Sequence, residues 1–230
     1  MDSTITFERV ALQAPFERLG DLASFYGRNL GLPTTQAPTR VTVTVGRTRL
    51  DFTGTAGDPF YHFAFLVPGN RFDAVAAWAS KRVELLPDRE TGEPIFNFAL
   101  WEATALYFHD PAGNIVELIA HHGLGDSSAV GAFGGSELLE VSEVGVVGDP
   151  PTLAAELDGS LGLGLWDGTL EGHDRLAFLG EKARSVILSR ARRPWLPTGR
   201  PAEAHPVEIE LSGLRAGVVD LPGVGAISAH

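Results

Sequence analysis

The stretch that decides the fold runs from Ala105 to His122, ALYFHDPAGNIVELIAHH. Two apolar runs flank a polar turn. Asp110-Pro111-Ala112-Gly113 fits a type I turn, with Asp at its first position, Pro at its second and Gly at its fourth. The stretch therefore reads as a β-hairpin. Alternation along its second strand puts Ile115, Glu117 and Ile119 on one face and Val116 and Leu118 on the other. A carboxylate inside such a run is costly unless it is paired, metal-bound or facing a wet cavity. Glu117 thus marks a candidate site.

Outward from the hairpin, the same strand-and-helix pattern recurs. Upstream, PFYHFAFLVP reads as a strand and IFNFALWE as another. Between them lies a helix with Phe72, Val75, Ala76, Ala79 and Val83 as its stripe, which Asn70 can cap with Asp73 as capping-box partner. Further upstream, FERVALQA is a strand, and Phe16, Leu19, Leu22, Ala23, Tyr26 and Leu30 recur at helical spacing before Gly31 and Pro33. RVTVTV and RTRLDFTG follow as strands. Two β-α-β-β-β units therefore occupy residues 1–122. Residues 123–136, GLGDSSAVGAFGGS, read as a linker.

A third unit begins at LLEVSEVGVV. Asp149 can cap its helix, which has Pro150 in the first turn and Leu153, Leu157 and Leu161 as its stripe. RLAFLG and RSVILSR are its returning strands. SLGLGL repeats the earlier NLGLP at the same place in the unit, an internal repeat. HPVEIELSG opens a fourth unit that is expected to lack its last strand, because so little chain follows. The fold class is α+β.

Composition narrows the function. The chain has 230 residues, 44% of them apolar and 20% charged, enough for one or two domains with a sizeable core. A formal net charge of -11 argues against a nucleic-acid partner, which needs a basic face. Without cysteine there is no disulfide, thiolate metal site or cysteine nucleophile. No apolar run has the ~20 residues of a membrane span, and MDSTITFERV has no signal-peptide pattern, so a cytoplasmic protein is expected.

Repeated βαβββ units ending in Phe108-His109-Asp110-Pro111-Ala112-Gly113-Asn114-Ile115-Val116-Glu117-Leu118 resemble the vicinal oxygen chelate superfamily. That group includes glyoxalases, bleomycin-resistance proteins and type I extradiol dioxygenases. The resemblance implies that two units pair into a half-open, eight-stranded bowl holding a divalent metal or a ligand. It places one complete bowl in residues 1–122 and a degenerate second half in 137–230, which closes the bowl or makes a homodimer contact. Metal ligands in such proteins come from the first strand and a later strand of each unit. The matching positions are His62 and Glu117 in the second unit and Arg9 and Asp51 in the first.

Arg9 departs from the pattern, because a guanidinium stays protonated and cannot bind a metal. The implied ligand set is His62, Glu117 and Asp51 around iron, manganese, zinc or nickel, with Asp51 and Glu117 as the catalytic carboxylates. The alternative for His62 and Glu117 is a hydrogen-bonded pair in a polar-lined cavity. Arg9 is either a hook for an anionic substrate or the partner of Asp51 in an internal ion pair. Trp101 and Tyr107 are expected to touch the ligand. His109 is expected to be exposed in the turn, and His121 and His122 at the solvated rim of the strand. Glu143 occupies in the third unit the place of Arg9, but without a histidine beside it no second metal site is expected there. The implied function is an enzyme acting on a small oxygenated or aromatic metabolite. A metal-free drug-binding protein and an inactive homologue are the alternatives.

Overall fold

The computed structural model describes residues 4–230. The first unit comprises β1 (Thr6–Pro15), α1 (Leu19–Ser24, prolonged by a π turn), β2 (Thr34–Ala37), β3 (Arg40–Val45) and β4 (Thr48–Thr55). The second comprises β5 (His62–Leu66), α2 (Phe72–Ala79), β6 (Phe96–Phe98), β7 (Ala103–His109) and β8 (Ile115–His121). The third comprises β9 (Glu140–Val147), α3 (Pro150–Leu161), β10 (Leu165–Gly168), β11 (Ala177–Glu181) and β12 (Arg184–Ser189). A short ribbon of β13 (Pro194–Trp195) and β14 (Arg200–Pro201) leads to β15 (Val207–Ser212), β16 (Gly217–Leu221) and β17 (Gly225–Ala229).

In every unit the last strand returns parallel to the first: β1 beside β4, β5 beside β8, β9 beside β12 and β15 beside β17. The fourth unit has no helix, yet β17 fills its last-strand position, so the expectation that this strand is missing is corrected.

The units pair differently from the expected 1–122 bowl. β1 lies antiparallel to β15, and β5 antiparallel to β9. A seven-stranded sheet therefore joins units one and four, and an eight-stranded sheet joins units two and three. The eight-stranded sheet curls into a half-barrel. Each first strand has one edge filled by its own last strand and one edge open, and an open edge must be paired or covered. All four first strands carry similar alternation, so the pattern alone does not rank their partners.

One apolar cluster takes in one face of each sheet and all three helices. It contains Val10, Leu12, Leu50 and Phe52 of the seven-stranded sheet and Phe63, Phe65, Val116 and Leu118 of the eight-stranded one, with Leu22, Val75 and Leu157 from the helices. A smaller cluster, including Ala64, Tyr107, Ile115, Ile119, Ile187 and Trp195, lies on the other face of the eight-stranded sheet. Val116 and Leu118 thus pack with the helices and Glu117 faces away from them, as alternation predicts.

The DPAGN turn ties these layers together. Gly113 N–H donates to the Asp110 carbonyl at 2.9 Å, closing the expected turn, and Gly113 takes a φ of 80°. The buried Asp110 carboxylate accepts from the Tyr26 hydroxyl at 2.8 Å, the Asn114 side-chain amide at 2.8 Å, and the backbone N–H groups of Ala112 and Asn114. Asn114 Oδ1 in turn accepts from the Tyr61 N–H at 2.8 Å. Tyr26 stacks on Phe52 at 5.3 Å, so one turn clamps the first unit to the second. Asp149 caps α3 as expected, its side chain accepting from Thr152 N–H. Asn70 does not cap α2. Its amide instead pairs with the backbone of Ser127 and pins the linker, while Arg71 takes the capping position. Among the described residues no helix is long and apolar enough to cross a membrane.

Candidate functional site

The concave face of the eight-stranded sheet carries the site. Strand register aligns Tyr107, Glu117, Ala64, Glu143 and Ser185 in a row across β7, β8, β5, β9 and β12. Only a methyl group, that of Ala64, stands between the two carboxylates. His62 lies two residues before Ala64 on the same strand, hence on the same face. His62, Glu117 and Glu143 are all buried, at 6%, 3% and 2% exposure.

These residues form the floor of a cavity of about 70 Å³. Trp101, Tyr107, Phe178 and Trp195 make aromatic walls, and Arg193 is the one Lys or Arg lining it. Trp195 lies 5.1 Å from the His62 ring. Gly145 makes room for it, since a Cβ there would come within 2.9 Å of the Trp195 ring. The Trp101 indole N–H donates to Asp167 at 2.5 Å, and its ring meets Phe178 edge-on at 4.7 Å. Trp101 sits in a 3-10 turn, Ala99–Trp101, rather than on a strand.

The hydrogen bonds fix the state of His62. Its Nδ1 lies 3.1 Å from the Ile115 carbonyl, which can only accept, so Nδ1 carries a proton. In neutral imidazole that leaves a lone pair on Nε2, which faces Glu117 Oε2 at 3.5 Å. Burial lowers the His62 pKa to about 4, against the Ile115 bond and with help from Arg193. Glu117 is pushed well above the usual carboxylate range by burial and by Glu143, despite a hydrogen bond from Tyr107. Burial raises Glu143 to about 7. Its Oε1 is buried with no hydrogen-bond partner, and so is the Ser185 hydroxyl next in the row.

Of the residues expected from sequence, His62, Glu117, Trp101 and Tyr107 come together here. Arg9 and Asp51 do not. They stand on the seven-stranded sheet, where Arg9 Nε meets Asp51 at 2.8 Å and Arg9 Nη1 meets Glu208 at 3.0 Å and Glu210 at 2.9 Å. Asp51 also accepts from Thr42 and Arg49, which commits both of its oxygens away from the cavity. Glu143 is the residue that sequence reasoning set aside. Its place matches that of His62 in the repeat, and it joins the floor because β9, rather than the first unit, pairs with β5. His121 was expected at the rim but is buried against Trp101, whereas His109 and His122 are exposed. Among the described residues, no three His, Asp or Glu side chains are grouped closely enough to hold a metal ion as they stand.

No family model and no curated protein matches the sequence. In structure the chain is similar to glyoxalase I from Zea mays, with TM-score 0.53 and 14% identity over 90% of this chain and 75% of that one. It is also similar to a candidate dioxygenase from Bacillus subtilis, with TM-score 0.56 and 15% identity over 100% of this chain and 86% of that one. At such identities the likeness shows the fold alone.

Proposed function

Because the chain has the glyoxalase-like fold of the vicinal oxygen chelate superfamily, we propose that the cavity over His62, Glu117 and Glu143 is the active site of an enzyme. Its substrate is a small oxygenated metabolite, aromatic or unsaturated. A divalent metal (iron, manganese, zinc or nickel) would be held by those three side chains once they draw together around it. The observation that carries this reading is the gathering of three ionisable groups from adjacent strands on one buried floor, with the Glu143 Oε1 left unpartnered. The donor types fit such a cation: one imidazole lone pair and two carboxylates. The Ile115 carbonyl orients His62 as an outer-shell partner orients a metal-binding histidine.

When bound, the metal would polarise vicinal oxygens and stabilise an enolate or catecholate. The chain supplies the rest. Trp101, Phe178 and Trp195 hold a flat molecule and exclude water. The Tyr107 hydroxyl, hydrogen-bonded to Glu117, orients that carboxylate on the floor. A second reading, metal-free binding of a small molecule, has its own support: the Glu117 proton can satisfy His62 directly, and no closely set ligand trio stands ready.

Metal content after purification without chelator, followed by titration with Mn²⁺ and Zn²⁺, separates the two. The metal reading expects one ion per chain in the wild type and its loss in His62→Ala and Glu143→Gln with the fold retained. Stoichiometric metal in His62→Ala overturns this site. A wild type that takes up no ion at millimolar supply leaves the metal-free reading.

A further inference from the structure

We propose that Arg193 makes this cavity selective for a small planar monoanion, an aromatic or unsaturated carboxylate or a phenolate, by binding its charged oxygen. The inference rests on the reading of the cavity as the ligand site and adds the ligand's charge. Two backbone contacts hold the guanidinium in place. Its Nε donates to the Asp174 carbonyl at 3.2 Å and its Nη1 to the Pro194 carbonyl at 2.9 Å. The chain carrying it is itself braced, with Ala202 N–H donating to the Arg193 carbonyl at 2.7 Å.

A guanidinium has five N–H donors. Two are used, and among the described residues Arg193 forms no ion pair. Burial lowers the Arg193 pKa from its ordinary value, and the Asp174 carboxylate, which opposes that shift, is exposed and does not pair with it. This contrasts with Arg9, which meets three carboxylates. An arginine that stays positive, is half-buried, and is unpaired at an aromatic cavity has donors to spare for a planar, two-oxygen acceptor.

Shape limits the ligand further. A cavity of about 70 Å³ is smaller than the ~150 Å³ that encloses a benzene ring, so the ligand is no larger than one ring or a short unsaturated chain, part of which stays at the open mouth. Trp101, Tyr107, Phe178 and Trp195 present ring surfaces to it, and the Arg193 guanidinium lies 5.9 Å from the Trp195 ring centre. An anion placed against Arg193 would set its ring between these walls. The carboxyls below would not repel it when neutralised by protons or by the proposed metal.

Titration by tryptophan fluorescence with benzoate, benzamide and benzylamine tests this in the wild type, Arg193→Gln and Arg193→Lys. The expected result is benzoate binding at least roughly tenfold tighter than benzamide in the wild type, as one charge-assisted pair allows. Arg193→Gln should lose that preference while benzamide affinity stays within about twofold, and Arg193→Lys should keep part of it. Equal binding of benzoate and benzamide, a preference for benzylamine, a preference surviving in Arg193→Gln, or no binding of any probe would each overturn the inference. Should Arg193→Gln fail to fold, the wild-type ranking and Arg193→Lys decide. Metal content, measured on the same samples, tells the two proposals apart. Retained metal with no anion preference sinks the selectivity alone. A preference for benzoate without metal sinks the metal alone.

Discussion

Arg9 Nε donates to Asp51 Oδ2 at 2.8 Å, and this pair sits where the resemblance would place metal ligands in the first unit. Burial alone would raise the Asp51 carboxyl, but Thr42, Arg9 and Arg49 hold it below its usual range. The stabilisation is therefore present above the ordinary carboxylate pKa and is lost as pH falls through the folded value. Arg9→Met would leave a fully buried Asp51 with only Thr42 and Arg49. A loss of about 2–4 kcal/mol is expected by urea denaturation at neutral pH, somewhat less than for a pair with no other support. Ligand and metal binding at the eight-stranded sheet should be unchanged. A wild-type midpoint would show that the pair is not structural.

Asp110 offers a second test, because its carboxylate accepts four hydrogen bonds at the junction of two units. Asp110→Ala strands the buried Tyr26 hydroxyl and the Asn114 amide, and each unmet group costs about 1–3 kcal/mol. We expect a loss of about 3 kcal/mol or more, against about 1 kcal/mol for Tyr26→Phe, which removes only one of the bonds. Similar losses for the two variants would mean that the turn is held by its backbone alone.

These two sites show what was legible in the sequence. The 110–113 turn, the alternation that turns Glu117 away from Val116 and Leu118, and the Asp149 cap are local. Turn chemistry and side-chain period specify them within a few residues. The pairing of β5 with β9 is not local, since four first strands with similar patterns compete for the same open edges. Local pattern alone therefore sets Glu143 apart from His62 and puts Arg9 and Asp51 beside His62. Asn70 failed as a cap for a related reason: the linker offers its amide a better pair in the Ser127 backbone.

Gly145 tests the seat of Trp195. A Cβ would meet the Trp195 ring at 2.9 Å and the His62 carbonyl at 3.2 Å. Gly145→Ala should push the indole off His62. Overpacking of this kind costs about 1–3 kcal/mol, and benzoate binding should fall with it. Unaltered tryptophan emission and affinity in this variant would show that Trp195 does not depend on that gap.

The last prediction concerns pH and Glu143. Its carboxyl ionises near 4.5 when unperturbed and near 7 in the folded chain, because burial opposes its charge. Between these values the native state holds a proton that the unfolded state has released. Stability therefore falls as pH rises through this window and stays reduced above it. Glu117, raised by burial and by Glu143, extends the fall upward. His62, lowered from 6.5 to about 4, acts in the opposite direction and only between those values. Around pH 7–8 the carboxyls alone set the slope. Glu143→Gln keeps the shape and removes one of them. At about 1.36 kcal/mol per pKa unit, the variant should exceed the wild type by up to about 3 kcal/mol at pH 8 and differ little at pH 4.5. Urea denaturation at pH 4.5, 6 and 8 with chelator present measures this directly. Stability curves that run parallel for the two proteins across this range would show that Glu143 ionises freely, and that the floor of the cavity is wetter than its burial indicates.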